Sequence, residues 1–243
     1  MLAPTAAGPV AAPADLKWKN MDWKAAVVPG TVATALQLPL EGDPELDDKD
    51  WWYRCEFTHS ECEFSGGHRL RFGGLATVSQ VWLNGVLIVS SRNMFRSYEC
   101  DVSALLKAEN ELVLVFRGLG SERAAKRPRP RWKTALVDQQ NLRWVRTSLL
   151  GRIPGWTPRL PAVGPWRVIE LVPTPEKGAR DIVIATGWDK NGAWIGVSAT
   201  AIGAVDDLRL AVCGVEYALT KRDGDAGRWE GRFTVPKVEV WFP

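Results

Sequence analysis

The sequence feature that most constrains the fold is an alternation of apolar and polar residues with a period of two. In the segment DWWYRCEF, Trp51, Tyr53 and Cys55 fall on one side of a predicted strand. Arg54 and Glu56 fall on the other side. This alternation is typical of a strand that packs one face on a core. Further strands are predicted at HRLRF, NELVLVFRGL and GPWRVIELV.

A hairpin is predicted at Asn84 and Gly85, which lie between the apolar runs VSQVWL and VLIVS. Both central positions of a type I′ turn need a positive φ, which Asn and Gly adopt readily. Turn residues separate the other strands at short intervals, and brief helical turns are expected only near TVATALQL and VSALLKA. Because no repeat of fixed period is present, the sequence predicts an all-β fold of the sandwich class.

The chain is expected to divide into three segments. Residues 1–26 are rich in Ala and Pro and are predicted to form a loosely ordered lead-in. Residues 27–173 form the first sandwich, and Pro173 and Pro175 in VPTPEKGARD mark a linker. Residues 174–243 begin a second set of strands. An immunoglobulin-like sandwich usually needs about 100 residues, so this second domain is predicted to be incomplete at its C-terminal end.

Composition and charge restrict the class of protein. Hydrophobic residues make up 46% of the 243 residues, enough for a sizeable core. The net charge is only +3, which argues for neither a nucleic acid nor a membrane partner. No apolar run approaches the roughly 20 residues that span a bilayer. The start of the chain lacks the basic and apolar regions of a signal peptide, so a cytoplasmic localisation is expected.

The cysteines and histidines do not predict a metal site. The four cysteines are Cys55, Cys62, Cys100 and Cys213. They have neither CxxC spacing nor a nearby pair of histidines, so we expect no metal and no cofactor. Reduced thiols are favoured in the cytoplasm, although Cys55 and Cys62 could face each other across a hairpin. His59 and His68 are predicted to be exposed loop residues.

A long connection lies between the segments FRGL and GPWR. It has some 45 residues with little period-two pattern, and such connections are commonly functional or disordered. Trp132, Trp144 and Trp156 argue against disorder. We therefore expect this connection to fold over one end of the sandwich as a binding surface.

Five segments occur in this order: VVPGTVATAL, DWWYRCEF, LRFGGLATVSQVWLNGVLI, NMFRSYECDVSALLKAENELVLVF and PRLPAVGPWRVIEL. Together, over residues 27–172, they resemble the amino-terminal sugar-binding domain of glycoside hydrolase family 2, and most closely its β-mannosidase branch. The resemblance implies a jelly-roll-like, galactose-binding-like β-sandwich. It implies an immunoglobulin-like domain next, which VPKVEVWFP also resembles, and then a catalytic (β/α)₈ barrel that is missing from this chain.

The same resemblance implies that the chain is a non-catalytic region of a retaining β-glycosidase. Retaining hydrolysis needs two carboxylates about 5 to 5.5 Å apart, and the family keeps both on the barrel. Asn110 and Glu111 are similar to the family's acid/base motif, but they begin the predicted strand NELVLVF. The acidic run EGDPELDDKD is predicted to be a solvated loop. We therefore predict no catalytic residue, and expect as partners a β-linked carbohydrate and the barrel.

The segment RTSLLGRIPGWTPRLPAVGPWR resembles the family segment Gly-Trp-Asp-Trp-Gly-Pro, which reaches the barrel's active site. The Asp of that family segment holds a sugar hydroxyl. Trp156 and Pro158 match the family's second Trp and its Pro. Pro154 stands at the first Trp and Gly155 at the Asp, so the chain departs from the family pattern at the position tied to mannoside specificity.

Six residues are candidates for contact with a sugar. They are Trp156, Arg146, Arg152, Arg159, Asn93 and Trp144. An arginine presents a planar fork of donors that suits sugar hydroxyls or a carboxylate-bearing sugar. Asn93 lies in the segment NMF, which matches a family loop near the active site. Structural alternatives stay open: Trp156 could cap the sandwich or pack against the barrel, and Arg146 could be a buried ion-pair partner.

Two other functions are considered. A free-standing carbohydrate-binding module would need a self-contained groove with exposed aromatic side chains. A nucleic-acid-binding protein could use RAAKRPRPRWK at residues 123–133, where six of eleven residues are basic. The small net charge favours a solvated interdomain loop for this stretch instead.

Overall fold

The computed structural model describes most of the chain. The described residues are 1–41, 45–59, 67–128, 131, 134–137, 139–153, 155, 157–224, 227–236 and 238. The chain forms two compact units, Met1–Thr174 (unit 1) and Pro175–Pro243 (unit 2). The described residues include no helix long and apolar enough to cross a membrane.

Unit 1 is built from antiparallel strands in two sheets. Its strands are β1 (Leu2–Ala6), β2 (Lys49–Thr58), β3 (His68–Phe72), β4 (Ser79–Leu83), β5 (Val86–Ser91), β6 (Tyr98–Asp101), β7 (Glu109–Phe116) and β8 (Ile169–Pro173). One sheet has the order β1-β2-β7-β4-β5, and the other has the order β6-β3-β8. The helices are short: α1 (Val32–Ala35), α2 (Gly120–Ala124) and 3₁₀ turns at Pro13–Asp15, Trp18–Asn20, Leu46–Asp48 and Gln140–Trp144. The predicted all-β class is confirmed.

The two sheets of unit 1 share one apolar core. Trp51 and Tyr53 of β2 lie in this core, as the alternation predicted, together with Phe72 of the second sheet. Trp52 points to the opposite side of β2, where it stacks on Trp82 with ring centroids 6.0 Å apart. Strand β2 therefore buries apolar side chains on both faces, which explains the adjacent tryptophans in its sequence.

The amino-terminal segment corrects the prediction of a loosely ordered lead-in. Strand β1 pairs with β2 in antiparallel register, with Leu2 opposite Tyr53. Leu16 is buried beside Trp52, and Trp18 stacks on Trp23 against the same cluster. Pattern analysis missed this segment because its alanines and prolines are held by pairing to a neighbouring strand, which is not a local property.

The acidic run corrects the prediction of a solvated loop. Within its described part, Leu46 is 2% exposed, Asp47 6% and Asp50 1%. Asp50 accepts hydrogen bonds from the Arg117 guanidinium at 2.8 Å and from the Gly118 amide at 2.8 Å. A buried carboxylate is tolerated only when it is paired and hydrogen-bonded, so a charge pattern alone does not reveal it.

Arg117 connects this carboxylate to the amino-terminal segment. Its guanidinium donates to the carbonyl oxygens of Val10 at 2.6 Å and Ala11 at 2.7 Å, and lies 5.3 Å from the ring centre of Trp52. The ion pair with Asp50 is therefore the point where β2, β7 and the amino-terminal segment meet.

The predicted hairpin is present between β4 and β5. Asn84 has a φ of 50° and Gly85 a φ of 84°, as a type I′ turn requires. The Asn84 side chain also accepts a hydrogen bond from the Glu111 amide at 2.9 Å and donates to the Leu105 carbonyl at 2.7 Å. These bonds tie the turn to two neighbouring segments of unit 1.

Unit 2 is also antiparallel. Its strands are β9 (Gly178–Asp189), β10 (Gly192–Ile202), β11 (Arg209–Val212), β12 (Val215–Ala218), β13 (Thr220–Lys221) and β14 (Arg228–Thr234). Strands β13-β14-β10-β9 form one sheet, and β11-β12 form another. Ile195, Val197 and Trp229 centre its core. The assignment of this unit as immunoglobulin-like stays a prediction.

The first testable prediction concerns the buried pair of Asp50 and Arg117. Asp50→Ala should lower the free energy of unfolding by about 3 to 5 kcal/mol, because it leaves the guanidinium partly buried without its counter-charge. Asp22→Ala removes an exposed partner of Lys24 and should change it by less than about 1 kcal/mol. Urea unfolding followed by tryptophan fluorescence measures both values. Equal effects would show that Asp50 does not anchor the fold.

The second prediction concerns Tyr53, whose hydroxyl is buried and makes no hydrogen bond among the described residues. Tyr53→Phe should keep or raise stability at neutral pH. The matched change Tyr98→Phe removes a 2.9 Å hydrogen bond to Ser91 and should cost about 1 kcal/mol.

The same tyrosine gives a pH dependence. Burial raises the pKa of Tyr53 above its ordinary value. The unfolded chain therefore releases the phenol proton first, and stability falls as the pH rises above about 10. Tyr53→Phe should lose less stability than the wild type between about pH 9 and pH 11, measured by urea unfolding at each pH. Identical losses would contradict the burial of this hydroxyl.

Candidate functional site

The candidate site is a cluster of three loop segments in unit 1, residues 91–96, 144–147 and 164–167, here called the loop cluster. Asn93 and Arg146 form a parallel β-bridge, and the Met94 amide donates to the Arg146 carbonyl at 3.0 Å. The Trp166 indole donates to the Met94 carbonyl at 2.9 Å. Backbone and indole hydrogen bonds therefore hold the three segments together.

Met94 fixes this arrangement from below. It is 3% exposed, and its sulfur accepts a hydrogen bond from the Ser148 amide at 2.8 Å. The Thr147 hydroxyl lies 3.5 Å from the same sulfur and 2.5 Å from the Thr77 hydroxyl. The buried Met94 side chain thus attaches the loop cluster to the sandwich.

Aromatic and basic side chains remain at its surface. Phe95 is 57% exposed and meets Trp166 edge to face, with ring centroids 6.5 Å apart. The Arg167 guanidinium lies 4.3 Å from the Trp166 ring centre. Trp144, two residues before Arg146, is 47% exposed. Aromatic rings offer apolar area and arginines offer donors, a combination that can hold a ligand with both apolar and hydroxyl groups.

Three predicted candidates, Asn93, Trp144 and Arg146, lie in the loop cluster, and Asn93 and Arg146 are joined directly by the backbone bridge. The Arg146 side chain is exposed and makes no hydrogen bond or ion pair to any described residue. Asn93 is half-buried, and its side-chain oxygen accepts a hydrogen bond from the Phe95 amide at 3.0 Å. The sequence left open a buried ion-pair role for Arg146, and the exposed side chain does not have that role within the described part of the chain.

Arg152 lies in a different environment. Its side chain is 4% exposed and makes two hydrogen bonds of 2.7 Å to the Asp47 carboxylate. It also donates to the Ser148 carbonyl at 2.9 Å. A two-pronged pair of this kind is strong and geometrically specific. The guanidinium is therefore used inside the protein, where it anchors the long connection, and it is not displayed to a ligand.

Arg159 lies beside this pair, at a polar cleft of about 290 Å³. The cleft is also lined by Asp48 and Arg123, which form an ion pair with each other. Arg159 and Arg152 are thus grouped with carboxylates, apart from the residues of the loop cluster. Trp156, Pro154 and Trp132 lie outside the described residues.

Gly155, which stands at the family's Asp position, has a φ of 78°. This left-handed backbone favours glycine and strains most side chains. The glycine that replaces the family's Asp is therefore the residue that this backbone conformation favours.

The carboxylates near Glu111 are engaged in ion pairs. Glu111 accepts from Arg54 at 2.6 Å, and Glu56, its cross-strand neighbour, accepts from the same guanidinium at 2.7 Å. Arg54 also lies over the Trp18 ring, on the side of β2 that carries Trp52. Glu56, Glu111 and Arg54 therefore form an ion-pair network at the surface of the sheet.

The basic stretch at residues 123–133 is partly neutralised in its described part. Arg127 donates to Glu122 at 2.6 Å, and Arg92 of the loop cluster donates to the same carboxylate. The hydrogen bond from Arg92 is the largest of the effects that lower the pKa of Glu122 below its ordinary value. Glu122 thus links this stretch to the loop cluster. No group of three potential metal ligands occurs among the described residues.

Sequence reasoning missed Asp47, Trp166 and Arg167. The segment containing Trp166 was assigned to a strand, whereas the strand begins only at Ile169. The signal that could have found the surface role of this segment is Pro165 beside Gly164, because such pairs favour loops over strands.

The fold and the loop cluster define an antiparallel β-sandwich domain that displays aromatic and basic side chains on loops. Residues 14–167 match the family model described as glycosyl hydrolase 2 galactose-binding domain-like. The chain therefore belongs to this family of glycoside hydrolase 2 domains, and the resemblance found in the sequence is confirmed.

Curated relatives of the chain include β-mannosidases. The chain is 30% identical over 220 residues to Beta-mannosidase B of Thermothelomyces thermophilus, covering 84% of this chain and 26% of that protein. It is 29% identical over 226 residues to Beta-mannosidase B of Aspergillus terreus, covering 86% of this chain and 26% of that protein. The chain thus spans about a quarter of the length of these relatives.

Solved structures share the fold. The β-D-mannosidase of Dictyoglomus thermophilum superposes with a TM-score of 0.67 at 24% identity, covering 91% of this chain and 30% of that one. The β-glucuronidase of Bifidobacterium dentium superposes with a TM-score of 0.59 at 20% identity, covering 100% of this chain and 43% of that one.

The third prediction tests the structural role of Arg152. Arg152→Met should lower the free energy of unfolding by about 3 to 5 kcal/mol, because Asp47 is left as an unpaired buried charge. Adding Asp47→Leu should restore part of this loss, since the double variant buries no charge. The matched change Arg159→Met, in the same connection but exposed, should cost less than about 1 kcal/mol. Chemical unfolding of the four chains gives the comparison. A double variant less stable than Arg152→Met would contradict the assignment.

Proposed function

We propose that unit 1 is the non-catalytic, sugar-contacting part of a β-mannosidase-like glycosidase of family 2. The observation that carries the proposal is the exposed Arg146 guanidinium, which has no partner among the described residues. The Arg146 backbone is bridged to Asn93, and the residue lies in the loop cluster with Phe95. Arg146 donates hydrogen bonds to sugar hydroxyls, Asn93 adds an amide, and Phe95 covers an apolar sugar face.

The relatives support the class of substrate. The two named curated relatives are β-mannosidases, and this chain matches about a quarter of each. A β-linked carbohydrate is therefore the proposed ligand, and a catalytic barrel is the proposed partner of unit 1. Trp144, Trp156 and Arg159 stay predictions from the sequence.

The arrangement of carboxylates supports a non-catalytic role. A retaining glycosidase needs one carboxylic acid that can donate a proton and one carboxylate free to attack. Glu56 and Glu111 both form ion pairs with Arg54, so neither carboxylate is free to attack a sugar. Unit 1 therefore positions the sugar, and the chemical step falls to another domain.

The proposed site of action is the cytoplasm. Cys55, Cys100 and Cys213 are free thiols within the described part of the chain. Reduced thiols are the usual state in that compartment.

A free-standing carbohydrate-binding module is the second candidate, favoured by the exposure of Phe95 and Trp144. The two functions differ in affinity. A surface completed by another domain should bind a monosaccharide only in the millimolar range, about −4 kcal/mol, whereas an independent module should bind an oligosaccharide at least about 10-fold more tightly.

The fourth prediction tests these proposals with the 243-residue chain. Ligand-observed NMR with methyl β-D-mannoside should show weak, saturable binding that is lost in Arg146→Ala and in Phe95→Ala. The control Arg180→Ala, an exposed arginine of unit 2, should bind as the wild type does. Equal binding by Arg146→Ala and the control would overturn the assignment of the loop cluster.

The same chain should not hydrolyse aryl β-mannoside, β-glucoside, β-galactoside or β-glucuronide. Reproducible turnover that disappears in Glu111→Gln would overturn the non-catalytic role. Micromolar binding of an oligomannoside by the chain alone would favour the independent module.

A further inference from the structure

The loop cluster carries an excess of positive charge. Its three segments contain neither an aspartate nor a glutamate, and their four arginines are Arg92, Arg96, Arg146 and Arg167. Arg92 is neutralised by Glu122, to whose carboxylate it donates a hydrogen bond. The side chains of Arg96, Arg146 and Arg167 are exposed and form no ion pair with a described residue. Each of the three segments therefore presents one guanidinium without a described counter-ion.

Two of these guanidinium groups are held on aromatic rings. The Arg167 guanidinium lies 4.3 Å from the ring centre of Trp166. The Arg96 guanidinium lies 5.5 Å from the ring centre of Tyr98. The Trp166 ring is itself fixed, because its indole nitrogen donates to the Met94 carbonyl at 2.9 Å. A guanidinium on a ring face keeps the donors at its edge available, so Arg167 is positioned before any ligand binds.

Two adjacent glycines make room for this arrangement. A Cβ atom at Gly74 would lie 2.6 Å from the Trp166 indole nitrogen and 3.1 Å from the Met94 carbonyl oxygen. A Cβ atom at Gly73 would lie 3.0 Å from the Arg167 Cβ atom. A side chain at Gly74 would therefore displace the indole, and the ring beneath Arg167 keeps its place because glycine allows this close approach.

Arg167 is also next to the proposed sugar surface. Phe95, which covers an apolar sugar face in the proposed function, meets the same Trp166 ring, with ring centroids 6.5 Å apart. A carboxylate is planar and charged, and it accepts two parallel hydrogen bonds from one guanidinium, whereas a sugar hydroxyl carries no charge. A sugar that carries a carboxylate therefore satisfies Arg167 in addition to the residues that face a neutral sugar.

We propose that the loop cluster binds a β-linked carbohydrate that carries a carboxylate, and that Arg167 binds this group. The inference rests on the proposed function, because Arg146, Asn93 and Phe95 hold the sugar ring in both. It adds the chemical class of the sugar, a hexuronic acid, whose carboxylate replaces the primary alcohol of the neutral hexose. The ion pair with Arg167 gives the acidic sugar its advantage over the neutral one.

The test compares two sugars that differ at one carbon atom, using the 243-residue chain and ligand-observed NMR. Methyl β-D-mannuronoside has a carboxylate where methyl β-D-mannoside has a CH₂OH group. At about 20 mM salt the mannuronoside should bind about fivefold more tightly, which is the size of effect expected of an exposed ion pair. Mannoside binding without tighter mannuronoside binding would overturn this inference alone, whereas failure of both sugars to bind would overturn the proposed function with it.

Substitution of Arg167 should remove the preference for the acidic sugar. Arg167→Gln should bring the ratio of the two association constants to about one. Arg167→Lys keeps the charge but not the planar fork, and it should retain part of the preference. The control Arg180→Gln, at an exposed arginine of unit 2, should keep the wild-type ratio. A wild-type ratio in Arg167→Gln would overturn the assignment of Arg167.

The salt dependence of the wild-type chain tests the charge without any substitution, and it covers the case in which Arg167→Gln does not fold. Raising NaCl from about 20 mM to about 500 mM should reduce the preference for the mannuronoside to less than about twofold, because salt screens exposed charges. Mannoside binding should not change. A preference of the same size at both salt concentrations would overturn the ion pair.

Acetate separates recognition of an acidic sugar from recognition of any carboxylate. Sodium acetate has the charged group without the ring that Arg146, Asn93 and Phe95 hold. At matched ionic strength it should displace bound mannuronoside at least about 10-fold less effectively than methyl β-D-mannoside plus acetate together. Displacement by acetate alone as effective as that by the mixture would overturn the class of ligand.

Discussion

Two buried carboxylates three positions apart, Asp47 and Asp50, bind the two long segments of unit 1 that lie largely outside its sheets. Asp50 binds Arg117, which in turn binds backbone carbonyls of the amino-terminal segment. Asp47 binds Arg152 of the long connection before β8. In each ion pair the side chains also make further hydrogen bonds, and buried charges are tolerated under this condition. The turn at Leu46–Asp48 and the first residues of β2 therefore anchor two distant stretches of the chain.

This anchoring decides which arginines face solvent. Arg152 forms a buried ion pair with Asp47, and this pair fixes the long connection before β8 at that point. Arg146, six residues earlier, is left exposed by the backbone bridge to Asn93 and the burial of Met94. Two arginines of the same segment thus differ because Arg152 has a buried counter-ion, whereas Arg146 has no counter-ion in the part of the chain that the structure describes.

Unit 1 offers two chemically different surfaces. The loop cluster combines the guanidinium of Arg146 with the exposed ring of Phe95, which suits a hydroxylated ligand. The cavity of about 540 Å³ along β2 has a largely apolar wall. The loop cluster is formed by loops, whereas the cavity is formed along strand β2, so the two are independent features of one fold.

The sequence by itself determined the all-β class, most strands of unit 1, the presence of a second set of strands, the hairpin at Asn84 and Gly85, and the family. These follow from side-chain alternation and turn chemistry, which are local properties that a chain carries wherever it folds. Only the tertiary structure decided that the amino-terminal segment pairs with β2, that Asp47 and Asp50 are buried, and that Arg152 points inward while Arg146 points outward. Each of these depends on a partner 40 or more residues away along the chain, such as Arg152 for Asp47, and burial or pairing of a charge is a property of that partner as much as of the residue itself.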